Sequence, residues 1–270
     1  MDSEALRLCG TADPVPPLRT LRAGALTVEL QAGRLRRIRC GGQEVWHGLG
    51  FVLRDPDWGT PEPEWREDSV REHADGFEVE IDGRWAIGVG YTLRLRGDAH
   101  GVHVEAEATA EADVAINRLG LCLLHPLSAC GARVEVRHVD GRISASTFPD
   151  HILPWPPFML VRALRHEWAP GRWAEAELHG DLYETEDQRN NGDASFKTYS
   201  RSNMAPRPYT LEAGTVGWEG ELFSGRPRWS KLLAQPAPQL SGEEKAFLDG
   251  PVAEEVLAMF PMLGRLLRAC

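Results

Sequence analysis

From Leu21 to about Leu222 apolar and polar residues alternate with a period of two in short segments, and turn signals interrupt them about every ten residues. That pattern belongs to an antiparallel sandwich or barrel, because successive side chains of a strand point to opposite faces of its sheet. Ala25–Leu30 and Arg34–Arg39 flank Gln31-Ala32-Gly33, and Cys40-Gly41-Gly42-Gln43 leads into Glu44–Leu53. Phe77–Ile81 and Trp85–Leu95 flank Asp82-Gly83, the strongest hairpin signal in the chain, and Val102–Ala110 follows. Val114–Leu124 is more continuously apolar, as a central strand covered on both faces would be, and stops at His125-Pro126. Two further hairpins are predicted, Val134–Val139 with Arg142–Thr147 and Leu160–Trp168 with Trp173–Leu178. Asp55–Asp68 carries three prolines and six acids, a composition that predicts an exposed loop.

The texture changes after Gly225. Arg226–Gln239 is interrupted by prolines, and Ser241 with Glu244 forms a capping box ahead of Lys245–Asp249. Pro251 then opens Val252–Leu267, where Val256, Leu257, Phe260, Leu263, Leu266 and Leu267 repeat at helical spacing. The expected organisation is an all-β antiparallel sandwich over residues 1–225 and a helical C-terminal tail over 226–270. The tail would pack on the sandwich or on a second subunit, making a homodimer through this helix.

Charge narrows the partners. The chain of 270 residues has a net charge of −10, so no broad cationic surface is available for nucleic acid or an anionic bilayer. No run of 18 apolar residues occurs, and Met1–Gly10 does not read as a secretory signal, so a cytoplasmic location without membrane contact is expected. Five cysteines form an odd set without CxxC or zinc spacing, and no HExxH is present, so no metal is expected. The chain also lacks a GxSxG elbow, a P-loop and a dinucleotide fingerprint, so no cofactor is expected.

Chemistry concentrates in Glu184–Tyr199, ETEDQRNNGDASFKTY. Ionisable groups at this density are costly to bury unless paired, and carboxylates beside Arg189 and Lys197 can have their pKa values pushed apart for acid/base work. Strand alternation would put Glu186, Gln188 and Asn190 on one face, Asp187 and Arg189 on the other, and Lys197 and Tyr199 together on the next strand. The competing reading is an ion-paired turn around Asn190-Asn191-Gly192-Asp193. Outside the segment, His125 before Pro126 and His151 after Phe148-Pro149-Asp150 are the acid/base histidines to weigh against structural ones. Trp155, in the proline-stiffened loop Asp150–Phe158, could wall a sugar pocket.

Glu186–Tyr199, followed by Pro206, Pro208 and Tyr209-Thr210-Leu211-Glu212-Ala213-Gly214, resembles the pattern EDQRNWTDASFKTY and YTLEAG of the D-apionate lactonase family, with Asn191-Gly192 standing where that pattern has Trp-Thr. The resemblance implies the β-rich N-terminal region of those lactonases, without their TIM-barrel-like domain, and a sandwich like that of galactose-mutarotase-type domains. It carries over Glu186, Asp187, Gln188, Arg189, Asn190, Asp193, Ser195, Lys197 and Tyr199.

The expectation is therefore an enzyme acting on a sugar, a sugar lactone or a similar polyhydroxylated small molecule by metal-independent acid/base chemistry, through lactone hydrolysis or isomerisation. Glu186 or Asp187 would be the base, Lys197 would stabilise charge developing on oxygen, and Arg189 would orient a carboxylate or carbonyl. Tyr199 and His125 would be secondary acids, with Gln188, Asn190, Asp193, His151 and Trp155 binding substrate. The alternatives are a sandwich recruited to a specialised biosynthetic step on a non-sugar substrate, and a non-catalytic ligand-binding or interaction module.

Overall fold

The structure is a computed structural model that describes residues 15–200 and 207–225, with side chains to residue 222. The predicted helical tail, and with it any dimer contact it would make, lies outside the described residues.

The first part of the chain supplies β1 (Arg19–Ala23), β2 (Leu26–Gln31), β3 (Arg34–Cys40), β4 (Gln43–Arg54), β5 (Glu64–Glu72), β6 (Phe77–Trp85), β7 (Val89–Gly97) and β8 (Gly101–Ala110). The second supplies β9 (Val114–Ile116), β10 (Arg118–Pro126), β11 (Arg133–His138), β12 (Ile143–Thr147), β13 (Phe158–Ala169), β14 (Arg172–His179), β15 (Tyr183–Asp187), β16 (Ser195–Ser200), β17 (Tyr209–Leu211) and β18 (Gly214–Gly225). They join in the order β1-β2-β3-β4-β10-β16-β15-β13-β14-β18-β8-β7-β6-β5, with β11 and β12 added on β13 and a separate β9–β17 ribbon.

One continuous sheet of this length cannot stay flat with an apolar side exposed, so it folds over on itself. Phe51 of β4 meets Trp218 of β18, Tyr91 of β7 and Trp85 of β6, with ring centroids 5.0, 5.2 and 6.1 Å apart. Leu119, Leu121 and Leu123 of β10 and Leu93, Leu95 and Val104 opposite are buried in the core between the two layers. The period-two reading thus holds: the inner faces of both layers are apolar, and the outer faces carry charge ladders such as Glu80–Arg94–Glu107.

Three local expectations change. Asp82-Gly83 is not a turn: β6 runs through it, and the chain reverses at Ala86–Gly88, where the Gly88 N–H donates to the Trp85 carbonyl at 3.1 Å. Gly83 is there because the Tyr91 ring lies across it. A Cβ at this position would stand 2.1 Å from Tyr91 Cε1. Gly83→Ala is accordingly expected to lower stability by about 1–3 kcal/mol, the range for overpacking, read as a lower urea midpoint with an unchanged slope.

Second, Asp55–Asp68 is a loop only to Pro63, because β5 begins at Glu64 and pairs with β6 at the sheet edge. Its charges are tolerated at that edge, where Arg66 lies 3.5 Å from Asp82. Third, the apolar run Val114–Leu124 breaks at Asn117 into β9 and β10. The Asn117 side chain donates to the Pro56 carbonyl at 2.9 Å, and this break sets Arg118 at the head of a central strand.

Candidate functional site

The site is built on the outer face of the sheet's middle, where β4, β10, β16 and β15 are neighbours. Register places Lys197 opposite Glu186 on one side and Leu124 on the other, and Tyr199 opposite Glu184 and Cys122. Arg118 stands opposite Arg54. Alternation then turns Arg118, Lys197, Tyr199, Glu184 and Glu186 to one face, as expected for Lys197 and Tyr199.

Glu186 is the hub. Its Oε1 lies 2.6 Å from Arg118 Nη2, and its Oε2 lies 3.0 Å from Lys197 Nζ and accepts from Gln188 Nε2 at 2.9 Å. The same Arg118 nitrogen donates to Glu184, and both partners of that pair are fully buried. Beneath them the Tyr199 ring lies 5.1 Å from the Arg118 guanidinium and 5.4 Å from Lys197 Nζ. Burial alone would raise the Glu186 pKa, but Arg118 and Lys197 outweigh it and bring the carboxyl down to about 2. Burial likewise opposes charge on Arg118, and the two glutamates outweigh it, holding its pKa above the ordinary value.

The predicted alternation of Glu186, Gln188 and Asn190 ends early. β15 stops at Asp187, and Gln188–Asn191 forms a 3-10 turn closed by Gly192 at φ 80°, a left-handed geometry suited to glycine. The turn curls Glu186, Asp187, Gln188 and Asn190 to the same cavity, which strand geometry would have forbidden.

Arg189 braces the wall. It pairs with Asp187 Oδ1 and Oδ2 at 2.8 and 2.7 Å, and its guanidinium donates to the carbonyls of Pro149, Asp150 and His151 at 2.8, 3.0 and 3.2 Å. The Leu153 N–H donates to Asp187 Oδ2 at 3.0 Å. Burial opposes ionisation of Asp187, and Arg189 and that amide prevail, so its pKa is lowered. The loop so fixed presents Trp155, which is 48% exposed, as one wall.

Trp58, 49% exposed, is the other wall. It has φ 66°, a left-handed conformation costing about 1–2 kcal/mol for a bulky residue, and Asp55 holds the turn by accepting from the Asp57 and Gly59 amides at 3.0 and 2.7 Å. Its ring lies 6.0 Å from the Arg118 guanidinium and 5.1 Å from that of Arg207. The enclosed space is about 580 Å³.

Of the residues expected from sequence, Glu186, Asp187, Gln188, Asn190, Lys197 and Trp155 come together around this cavity. The others have different places. Tyr199 lies under the floor, and its hydroxyl donates to the Val52 carbonyl at 2.9 Å, where burial raises its pKa well above the usual value. His125 is on the core face, hydrogen-bonded to Thr198 at 2.7 Å between Trp46 and Phe148, and burial with the nearby His166 holds it neutral well below its ordinary pKa. His151 and Asp193 are exposed. Among the described residues no group of three His, Cys, Asp or Glu lies close enough to hold a metal ion. No helix of theirs is long and apolar enough to cross a membrane.

Arg118 and Arg54 were missed, and Trp58 was not singled out from the other tryptophans. Arg118 had a legible signal: it is the one charged residue within VAINRLGLCLL, and a charge in a covered strand demands a partner. Trp58 had the weaker signal of an aromatic face in an acidic, proline-rich stretch that also reads as solvated.

The architecture is that of the galactose-mutarotase-like sandwiches. A protein of Escherichia coli K12 assigned as an aldose 1-epimerase superposes with a TM-score of 0.53 at 12% identity, over 78% of this chain and 99% of the other. A galactose mutarotase-like protein of Clostridium acetobutylicum gives 0.51 at 7% identity, over 80% and 100%. At such identities the likeness is one of fold. The more particular match is to the D-apionate lactonase N-terminal domain, over residues 6–218, and the chain belongs to that family. The D-apionate lactonase of Brucella anthropi is 37% identical over 212 residues, which cover 76% of this chain and 35% of that protein. The chain thus spans about a third of the length of this curated relative.

Proposed function

We propose that the cavity takes a polyhydroxylated sugar-derived molecule, a sugar lactone or the corresponding acid, and performs acid/base chemistry on it without a metal. The observation that carries this reading is the convergence of Arg118 and Lys197 on Glu186 at the floor of a cavity walled by two half-exposed tryptophans. Family membership supports it, because the matched relative is a lactonase by name.

The charges of the cavity support a division of roles. Arg54, Arg118 and Lys197 face Glu184 and Glu186, while Asp187 is matched by Arg189, so the cavity holds one net positive charge. When water adds to a lactone carbonyl it gives a proton to the Glu186 carboxylate, the carbonyl oxygen gains negative charge that Lys197 with Arg118 can stabilise, and the ring oxygen leaves as a hydroxyl on taking that proton back. Glu186, with a pKa near 2, enters as a standing carboxylate that orients Lys197 and accepts from substrate hydroxyls. Trp58 and Trp155 offer flat faces to the C–H surface of a ring.

A second reading, ligand binding without turnover, is favoured by the same low pKa, which makes Glu186 a weak base at neutral pH. One experiment separates the two. Purified protein is screened by thermal shift against sugar lactones and aldonates, and hits are assayed for turnover. A lactone that raises the melting temperature and is consumed supports the enzyme, whereas a shift without turnover supports the binding module. Lys197→Met is expected to lower turnover about 100- to 1000-fold, in line with loss of one oxyanion donor. Full turnover in the Glu186→Gln, Lys197→Met double variant would refute the assignment.

A further inference from the structure

The sheet face that carries the charged floor does not end at it. Along β4 and β10, Arg54 stands opposite Arg118, Val52 opposite Gly120, Gly50 opposite Cys122 and Gly48 opposite Leu124. Alternate residues share a face, so the face runs from two arginines to Val52, Cys122 and Leu124, while Leu49, Phe51 and Leu53 turn into the core. Across β10–β16 Leu124 is the register partner of Lys197, and Cys122 that of Tyr199. The charged floor and the apolar stretch therefore meet along one row of side chains.

This stretch is a trough of about 710 Å³ whose far wall is formed by Val15 and Pro16. Gly48 and Gly50, in the middle of a central strand, lie in its floor close against Arg34 and Leu35 of β3. Glycine weakens a strand there and marks a place where something approaches the backbone closely. An added Cβ at Gly50 would come 3.2 Å from Arg34 Cγ, and one at Gly48 would come 3.1 Å from the Leu35 carbonyl oxygen.

Each polar side chain of the trough has at least one partner within the chain. Gln31 donates to the Pro16 carbonyl at 3.0 Å, Arg36 donates to Gln31 at 2.8 Å, His47 bonds Glu44 at 2.7 Å, and Arg34 bonds Glu62 at 2.8 Å. A second sugar ring needs several donors and acceptors, and this surface offers carbon instead. Val52 and Leu124 remain only half-buried.

We propose that the ligand of this site is a conjugate, a sugar acid or sugar lactone carrying an alkyl or aryl substituent. The polar part sits on the Arg118–Glu186–Lys197 floor, and the apolar substituent crosses the Leu124–Lys197 row into the trough. This rests on the reading of the polar cavity given above, and it adds the substrate class.

The test is calorimetric titration of the full chain with methyl β-D-glucuronide and with n-hexyl β-D-glucuronide, which share the fixed β anomer and differ only in the length of the alkyl group. The hexyl conjugate is expected to bind at least about tenfold tighter, since burying a few methylenes suffices for that factor. Leu124→Gln and the near-isosteric Val52→Thr, each checked for an unchanged melting temperature, are expected to erase most of this advantage while affinity for the methyl glucuronide holds. Equal affinities for the two ligands in the wild type would overturn the conjugate and leave the polar cavity standing. An advantage that persists in both variants would overturn the trough as its seat. Binding of neither ligand would remove the polar-site reading and the inference with it.

Discussion

Arg118→Met is expected to destabilise the sandwich by about 3–5 kcal/mol at neutral pH, the range for removing one partner of a buried ion pair. The arginine side chain is 2% exposed and that of Glu184 is 0% exposed, so methionine would fill the space but leave Glu184 without its guanidinium and Glu186 without its Oε1 partner. The deficit should depend on pH. Glu186 has a folded pKa near 2 against an ordinary 4.5, so its stabilisation is fully present above about 4.5 and is lost as pH falls towards 2. That shift is worth on the order of 3 kcal/mol. Without Arg118 the depression relaxes, and the gap between wild type and variant should narrow on acidification. Urea midpoints at pH 7 and pH 3.5 test this. A variant as stable as wild type at pH 7, or a gap that widens in acid, would show that the clamp does not hold the two glutamates together.

The same clamp explains why the fold was largely legible in the sequence and the site only partly so. Period-two alternation reports burial on one face of a strand, which is why β2, β7, β8 and β14 could be read directly. It does not report why a glycine is present. Asp82-Gly83 has the composition of a turn, but Gly83 is a seat for the Tyr91 ring, a long-range requirement with no local trace. Edge strands are similarly hidden, since β5 is mainly charged, with Trp65 and Val70 packing against the core, and its pairing with β6 is what sets it apart from a loop.

The polar segment was visible by density, and Lys197 and Glu186, both named from it, lie 3.0 Å apart. A turn around Asn190-Asn191-Gly192-Asp193 was one reading of the sequence; what could not be read was that it begins at Gln188 as a 3-10 turn and so brings neighbours in sequence towards a common cavity. The three residues that complete the site, Arg54, Trp58 and Arg118, come from 130 or more positions earlier than Glu186 in the first case and arrive only through the β4–β10–β16 pairing. Sequence proximity grouped Arg189 with Glu186 and Lys197, whereas the structure gives its fork to the loop.

Arg189→Lys should show what that fork does. The guanidinium makes two bonds to Asp187 and one to each of three successive carbonyls, and lies 4.7 Å over the Phe196 ring. A lysine keeps the charge but has a single point of donation, so it can satisfy Asp187 or one carbonyl and not the set. The Asp187 carboxylate is 0% exposed, so losing most of its partners is expected to cost about 2–4 kcal/mol. The loop from Pro149 to Pro156 would come free of its anchor. Arg189 also donates to Cys130 Sγ at 3.1 Å, so peptide-level thiol labelling should find Cys130 reacting faster in the variant. Trp155 emission should shift to the red as the wall loosens, and affinity for any ligand of the cavity should fall even though no residue touching its charged floor has changed. Unaltered stability together with unaltered Cys130 labelling would mean that the loop is held by its prolines and not by Arg189, leaving that arginine's charge free for the substrate-orienting role that sequence alone would give it.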